Sequence, residues 1–176
     1  MSVKSKLGRA VGVASATVGM VAIGLTGVAS ATAAQPATAV LATCTLRTND
    51  GHFLSAVGGG GRSVDGVRTT ATVASTWEQF TFVPVGDGLH YGFRTSNGHF
   101  LTAVNGGGRN SDAIHADATV LSTWEEFRTF SHPDTVQTID CHFLTAVGGA
   151  NRNTDALHTD ATNVGSWEVF TLSCTH

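Results

Sequence analysis

His52-Phe53-Leu54-Ser55-Ala56-Val57 returns as His99-Phe100-Leu101-Thr102-Ala103-Val104 and again as His142-Phe143-Leu144-Thr145-Ala146-Val147. The offsets are 47 and 43 residues, and from His52 to Phe80 the three copies align without a gap over 29 positions. Thirteen of these positions are identical in all three copies. An internal repeat of this strength organises the whole chain.

Each copy reads as short strands between turns. HFL[ST]AV mixes apolar residues and β-formers in partial alternation, which predicts a strand. A glycine cluster follows (Gly58 to Gly61, Gly106 to Gly108, Gly148 and Gly149) and marks a turn or bulge. A polar stretch, a short apolar step at Val67, Ile114 and Leu157, and then [ST]-Trp-Glu-x-Phe complete the unit. No segment sustains a 3.6-residue period, so the folded part is expected to be all-β. Four short strands in about 45 residues also suit a propeller blade, but propellers need about four or more blades. Three copies with no sequence left for a fourth predict a β-trefoil instead, each unit giving two barrel strands and two cap strands. Closure removes the exposed edges. The domain is expected over 44–176, with repeats of about 44–90, 91–133 and 134–176. Leu54, Leu101 and Leu144, with Phe80, Phe127 and Phe170, form the expected core layer, and Ala56, Ala103 and Ala146 share the leucines' face.

The chain is 176 residues long, 41% hydrophobic and 13% charged. That is too apolar for disorder and suits a single core-bearing domain. Lys4, Lys6 and Arg9, a weakly apolar run to about Val28 and the small residues Ala31-Thr32-Ala33 read as a signal peptide over 1–33. A short linker over 34–43 would follow, and the protein is expected to be secreted, with no membrane association after cleavage. Removing the leader leaves seven arginines, no lysine and thirteen acidic residues, a formal net charge of −6. Such a surface repels a phosphate backbone, which argues against nucleic-acid binding. Three cysteines remain, Cys44, Cys141 and Cys174. In an oxidising compartment, a Cys44–Cys174 disulfide would staple the two ends of a closed domain and leave Cys141 over.

HFL[ST]AV, the glycine-rich turn with its arginine, and [ST]-W-E-x-F together resemble the fascin-like β-trefoil repeat, whose units often begin G-K/H-Y/F-L and end W-E-x-F. The resemblance covers roughly Cys44 to Cys174. The variants closest in character look like bacterial secreted trefoils used as carbohydrate-binding modules. Some trivalent modules of that kind bind β-1,3- and β-1,6-glucans through a Trp and a carboxylate in each repeat. The resemblance therefore implies a non-catalytic, multivalent, lectin-like protein, monomeric and without cofactor, whose partner is a polysaccharide or glycan.

The residues carry the same idea. Trp77, Trp124 and Trp167 are the only tryptophans, one per repeat. An indole face stacks on the C–H face of a pyranose and its N–H meets a hydroxyl; alternatively, each Trp packs beneath the cap of its repeat. Residues three apart in an extended strand face opposite sides, so Trp and the following Phe are both inward only if the chain turns between them. Glu78, Glu125 and Glu168 follow each Trp and can accept hydrogen bonds from vicinal hydroxyls, or pair with the arginine of the repeat. Those arginines are Arg62, Arg109 and Arg152. Asp65, Asp112 and Asp155 recur three residues later, as sugar ligands or as turn caps. These twelve residues form the candidate ligand-binding set. Arg68 and Thr70 stand where repeats two and three have His115 and Asp117, and His158 and Asp160, so the first site is expected to differ from the other two.

Other classes fare worse. His52, His99 and His142 lie on three separate hairpins, and no spaced ligand set such as HExxH is present, so no metal site is expected. Catalysis needs different residues converging on one centre, whereas here the reactive residues are copied around an axis. No G-x-S-x-G, Cys/His pair or P-loop occurs, and an enzyme is not expected. Two other roles fit a trefoil: filament or actin binding of the fascin type, and a structural or inhibitory protein acting through the divergent loop from Val83 to His90.

Overall fold

The computed structural model describes residues 42–131 and 133–175. The expected signal peptide and nearly all of the expected linker fall outside these residues. Twelve strands form three successions of four: β1 (Ala42–Thr48), β2 (Phe53–Ala56), β3 (Val67–Ala71) and β4 (Phe80–Pro84), then β5 (His90–Arg94), β6 (Phe100–Ala103), β7 (Ile114–Ala118) and β8 (Glu126–Phe130), then β9 (Thr135–Thr138), β10 (Phe143–Ala146), β11 (Leu157–Ala161) and β12 (Phe170–Thr175). This is the all-β trefoil the repeat predicts.

β1, β4, β5, β8, β9 and β12 make the barrel through the antiparallel pairs β12–β1, β1–β4, β4–β5, β5–β8 and β8–β9. The ring closes between β12 and the start of β9, where Asp134 accepts from the Phe170 N–H at its carbonyl (2.8 Å) and from the Leu172 N–H at its carboxylate (3.2 Å). The hairpins β2–β3, β6–β7 and β10–β11 form the cap. Each carries a register shift at the same place, between Phe53 and Ser55 and their counterparts.

Repetition fills the core in layers. Phe80, Phe127 and Phe170 are fully buried, as are Leu54, Leu101, Leu144 and the three small alanines beside them. Leu46, Phe93 and Val136 occupy one equivalent position with three different side chains. Phe93 stacks on Phe127 at 5.0 Å and on Phe82 at 4.3 Å, so this layer is asymmetric although the backbone repeats. Burying each such ring contributes about 1.5–3 kcal/mol.

Reciprocal backbone bonds clasp each repeat to the next. The Gly61 N–H donates to the Ala116 carbonyl while the Ala116 N–H donates to that of Arg62; Gly108 and Arg109 do the same with Thr159, and Asn151 and Arg152 with Thr69. The cycle runs from the first repeat to the second, to the third and back.

Cys44 and Cys174 lie opposite each other in the β1–β12 ladder and are disulfide-bonded across a sequence separation of 130. Closing so long a loop restricts the unfolded chain. Cys141 is a free, exposed thiol with φ +66°, at the turn position where the other repeats have Gly51 (φ +89°) and Gly98 (φ +86°). Titration of the native protein with a disulfide-exchange reagent is expected to release one thiol equivalent per chain, with no further thiol on denaturation. A second equivalent would contradict the Cys44–Cys174 bond.

Candidate functional site

Trp77 and Trp124 sit in the middle of 3-10 turns, Thr76–Glu78 and Thr123–Glu125, and Trp167 lies in a turn at the equivalent place, 166–168. The chain does turn between Trp and Phe, and the turn sends Phe80, Phe127 and Phe170 inward and the indoles outward. Trp77, Trp124 and Trp167 are 45%, 47% and 49% exposed. Exposure of a large aromatic ring at three equivalent positions is not a packing solution.

The glutamates do the opposite. Glu78, Glu125 and Glu168 are only 4%, 5% and 8% exposed, and their carboxylates are already occupied. One oxygen of Glu125 accepts from the Ser122 N–H (3.0 Å) and hydroxyl (2.7 Å), and the other from the Thr102 hydroxyl (2.7 Å). Glu78 accepts from the N–H (2.8 Å) and hydroxyl (2.7 Å) of Ser75 and from the Ser55 hydroxyl. In the third repeat Gly165 stands in place of serine, so Glu168 accepts only the Gly165 N–H and the Thr145 hydroxyl, both at 2.7 Å. In the first two repeats the carboxylate thus closes a capping box, and in all three it ties the turn to the neighbouring strand. The sequence left these carboxylates as sugar ligands or arginine partners; in the structure they are buried and accept from the turn and the neighbouring strand. No glutamate–arginine ion pair is present among the described residues either.

Burial raises the pKa of Glu78, but the bonds from Ser55 and Ser75 outweigh it and hold the group below its ordinary value of 4.5. A depressed native pKa makes this latch fully stabilising above 4.5 and progressively weaker as pH falls through the lower native value. In a protein whose only indole is Trp77 (W124F/W167F), the fluorescence maximum is expected to be constant from neutral pH down to 4.5 and to shift only below it. A shift completed above that pH would remove the latch.

The arginines serve the clasp through their backbone. Arg109 and Arg152 fold back, their Nε donating to the carbonyls of Ser111 (3.2 Å) and Thr154 (3.4 Å), and Arg62 is exposed. Asp65, Asp112 and Asp155 do not join the indoles. All three adopt left-handed backbone (φ 46°, 45° and 45°) and converge where the cap hairpins meet, with Val67, Ile114 and Leu157. The Asp155 N–H donates to Asp65 Oδ1 (2.8 Å) and the Asp112 N–H to Asp155 Oδ1 (3.1 Å). This is turn capping carried across repeats. His115 and His158 each contact the aspartate three residues before them at 3.1 Å. The candidate set therefore separates into exposed indoles, inward carboxylates that hold them, arginine segments that join repeats, and aspartates on the axis.

Sequence reading left out of that set the residues on the outer face of each cap hairpin. Ser55 pairs with Arg68, Thr102 with His115 and Thr145 with His158. Residues directly opposite in an antiparallel pair project to one face, and Ser55, Thr102 and Thr145 are the side chains that touch the glutamates. Arg68, His115 and His158 therefore share a hairpin face with the hydroxyls that hold the glutamates next to the indoles. The substitution pattern between repeats was the available signal.

No protein-family model matches the chain, and no curated protein matches it. Among solved structures, it is similar to the designed three-fold symmetric protein ThreeFoil (TM-score 0.63, 12% identity, 74% of this chain and 96% of that one). It is similar also to the Rhizoctonia solani agglutinin (TM-score 0.62, 13% identity, 78% and 98%). A third is the Polyporus squamosus lectin bound to Neu5Aca2-6Galb1-4GlcNAc, a human-type influenza-binding epitope (TM-score 0.59, 13% identity, 74% of this chain and 48% of that one). At these identities the likeness is one of fold.

Proposed function

We propose that the protein is a secreted, non-catalytic lectin with up to three sites for β-glucan-type polysaccharide. The observation that carries this reading is the set of three half-exposed indoles, each on a turn latched by a buried carboxylate. A ring held rigid before the ligand arrives loses little entropy on stacking, which is what a shallow sugar site needs. The glutamates act as positioning residues and the indoles as the contact surface. Three copies on one scaffold convert weak single-site stacking into avidity on a repeating polymer. Similarity of fold to an agglutinin and to a glycan-bound lectin supports the same class. The disulfide is compatible with an extracellular setting.

The test is retention of residues 34–176 on insoluble β-1,3/1,6-glucan, chitin, cellulose, xylan and galactan. Retention on the β-glucan, falling in steps as single tryptophans become alanine, is the expected result. Absence of retention on every polymer by a folded protein would overturn the reading.

A further inference from the structure

We propose that the first-repeat site differs in kind from the other two and takes an anionic sugar, a pyranose bearing a carboxylate or a sulfate, with Arg68 as the residue that binds the anion. The inference rests on Trp77 being a sugar platform and adds the charge of the sugar it accepts.

Arg68 lies opposite Ser55 in the β2–β3 hairpin, and the Ser55 hydroxyl holds Glu78, the residue that follows Trp77. Its counterparts His115 and His158 are each engaged by an aspartate at 3.1 Å. Arg68 has no such partner. Among the described residues it makes no ion pair, and its Nε is buried without a hydrogen-bond partner. Asp65, the equivalent of those two aspartates, accepts the Asp155 N–H at the axis and makes no ion pair with Arg68 among the described residues. Arg68 does not stack on the neighbouring indole either, since the cation–π contacts of the described residues are Arg47 with Phe53 and Arg128 with Phe130.

Local charge points the same way. The stretch 62–71 holds Arg62, Asp65 and Arg68, a formal +1, whereas 109–118 and 152–161 each hold one arginine and two aspartates, a formal −1. Half of that difference is Arg68 itself, which is His115 and His158 in the other repeats, and half is the exposed Asp117 or Asp160, where the first repeat has Thr70. A guanidinium without an ion-pair partner, one hydroxyl away from the latch of a stacking ring, matches a carboxylate or sulfate on a pyranose, by charge-assisted and often bidentate hydrogen bonds. The described residues hold seven arginines against thirteen acidic residues and repel polyanions at long range, so attraction confined to this site must work at short range and survive screening by 0.15 M salt.

Calorimetry on the W124A/W167A protein, in which only the first site keeps its indole, tests this in 0.15 M salt. The probes are a galacturonic-acid oligosaccharide, a sulfated galactan oligosaccharide and a neutral β-1,3-glucan oligosaccharide. The expected result is preference for one of the two charged probes over the neutral one, with the stronger probe naming the anion. Arg68→His, which installs the residue of the other repeats, should then weaken the charged probe about tenfold or more and leave the neutral one unchanged. Three results would overturn the proposal: preference for the neutral probe, an unchanged ratio in the R68H variant, or undiminished binding of the charged probe when Trp77 is also replaced. Lectin activity persists in the first two through neutral glycans; if the unmutated protein binds no glycan at all, the parent reading has failed instead.

Discussion

Replacing Trp77, Trp124 and Trp167 together by alanine is expected to abolish retention on polysaccharide, at least a hundredfold loss of apparent affinity, while the protein stays folded. The two parts of this expectation come from different quantities. The indoles are about half exposed, and no core residue depends on them for closure, so each truncation should cost little of the stability held by the buried phenylalanine and leucine layers. Binding behaves otherwise. A single stacked ring supplies a weak contact, and linkage of three raises the apparent affinity by about 10² to 10⁴. One substitution therefore removes a small part of the retention, a second most of it, and the third the remainder. Thermal unfolding and pull-down measured on the same four proteins separate these effects. Full retention by the triple variant would show that the sugar, if bound, is held elsewhere.

The trefoil was legible because repetition is visible at the level of identity. Thirteen shared positions in 29 across three copies leave few closed all-β solutions. The core layer followed from the same alignment, since Leu54 and Phe80 recur with their neighbours. The site was less legible, for two physical reasons. Reading Thr-Trp-Glu-x-Phe as extended chain puts Trp and Glu on opposite faces but says nothing of which is outward. The deciding feature was Ser75-x-x-Glu78 and Ser122-x-x-Glu125, a capping-box spacing that announces a helical turn and commits the carboxylate to backbone N–H groups. Gly165 breaks that spacing in the third repeat, which hides it from a search for common features. The second reason is closure. Asp65 and Asp155 meet across 90 residues of sequence, and only the assembled three-fold cap brings them together. Local spacing left these aspartates as sugar ligands or turn caps, and gave no sign that each turn is completed by another repeat.

Glu125→Ala is expected to lower the unfolding free energy by about 3 kcal/mol and to weaken glycan binding at the second repeat, although the carboxylate does not face the ligand. Three donors, the Ser122 N–H, the Ser122 hydroxyl and the Thr102 hydroxyl, lose their acceptor at once. Hydrogen bonds to a charged group contribute about 1.5–3 kcal/mol each, and donors left buried and unpaired add to the loss. The desolvation cost of the ionised group is recovered on its removal and offsets part of the sum. Glu168→Ala should cost less, about 2 kcal/mol, because Gly165 offers one donor fewer than Ser122. Glu125→Gln keeps the shape and one acceptor oxygen and should fall between wild type and the alanine variant. The ordering matters more than any single value, since it follows from counting donors. Binding should track it: in W77A/W167A protein, whose remaining indole is Trp124, affinity should decline in the order wild-type Glu125, Gln, Ala, as the turn loosens and the ring samples more orientations. A carboxylate that touched sugar directly would behave differently, losing affinity in the Gln variant with unfolding free energy unchanged. That result would overturn the positioning role and return Glu125 to the ligand.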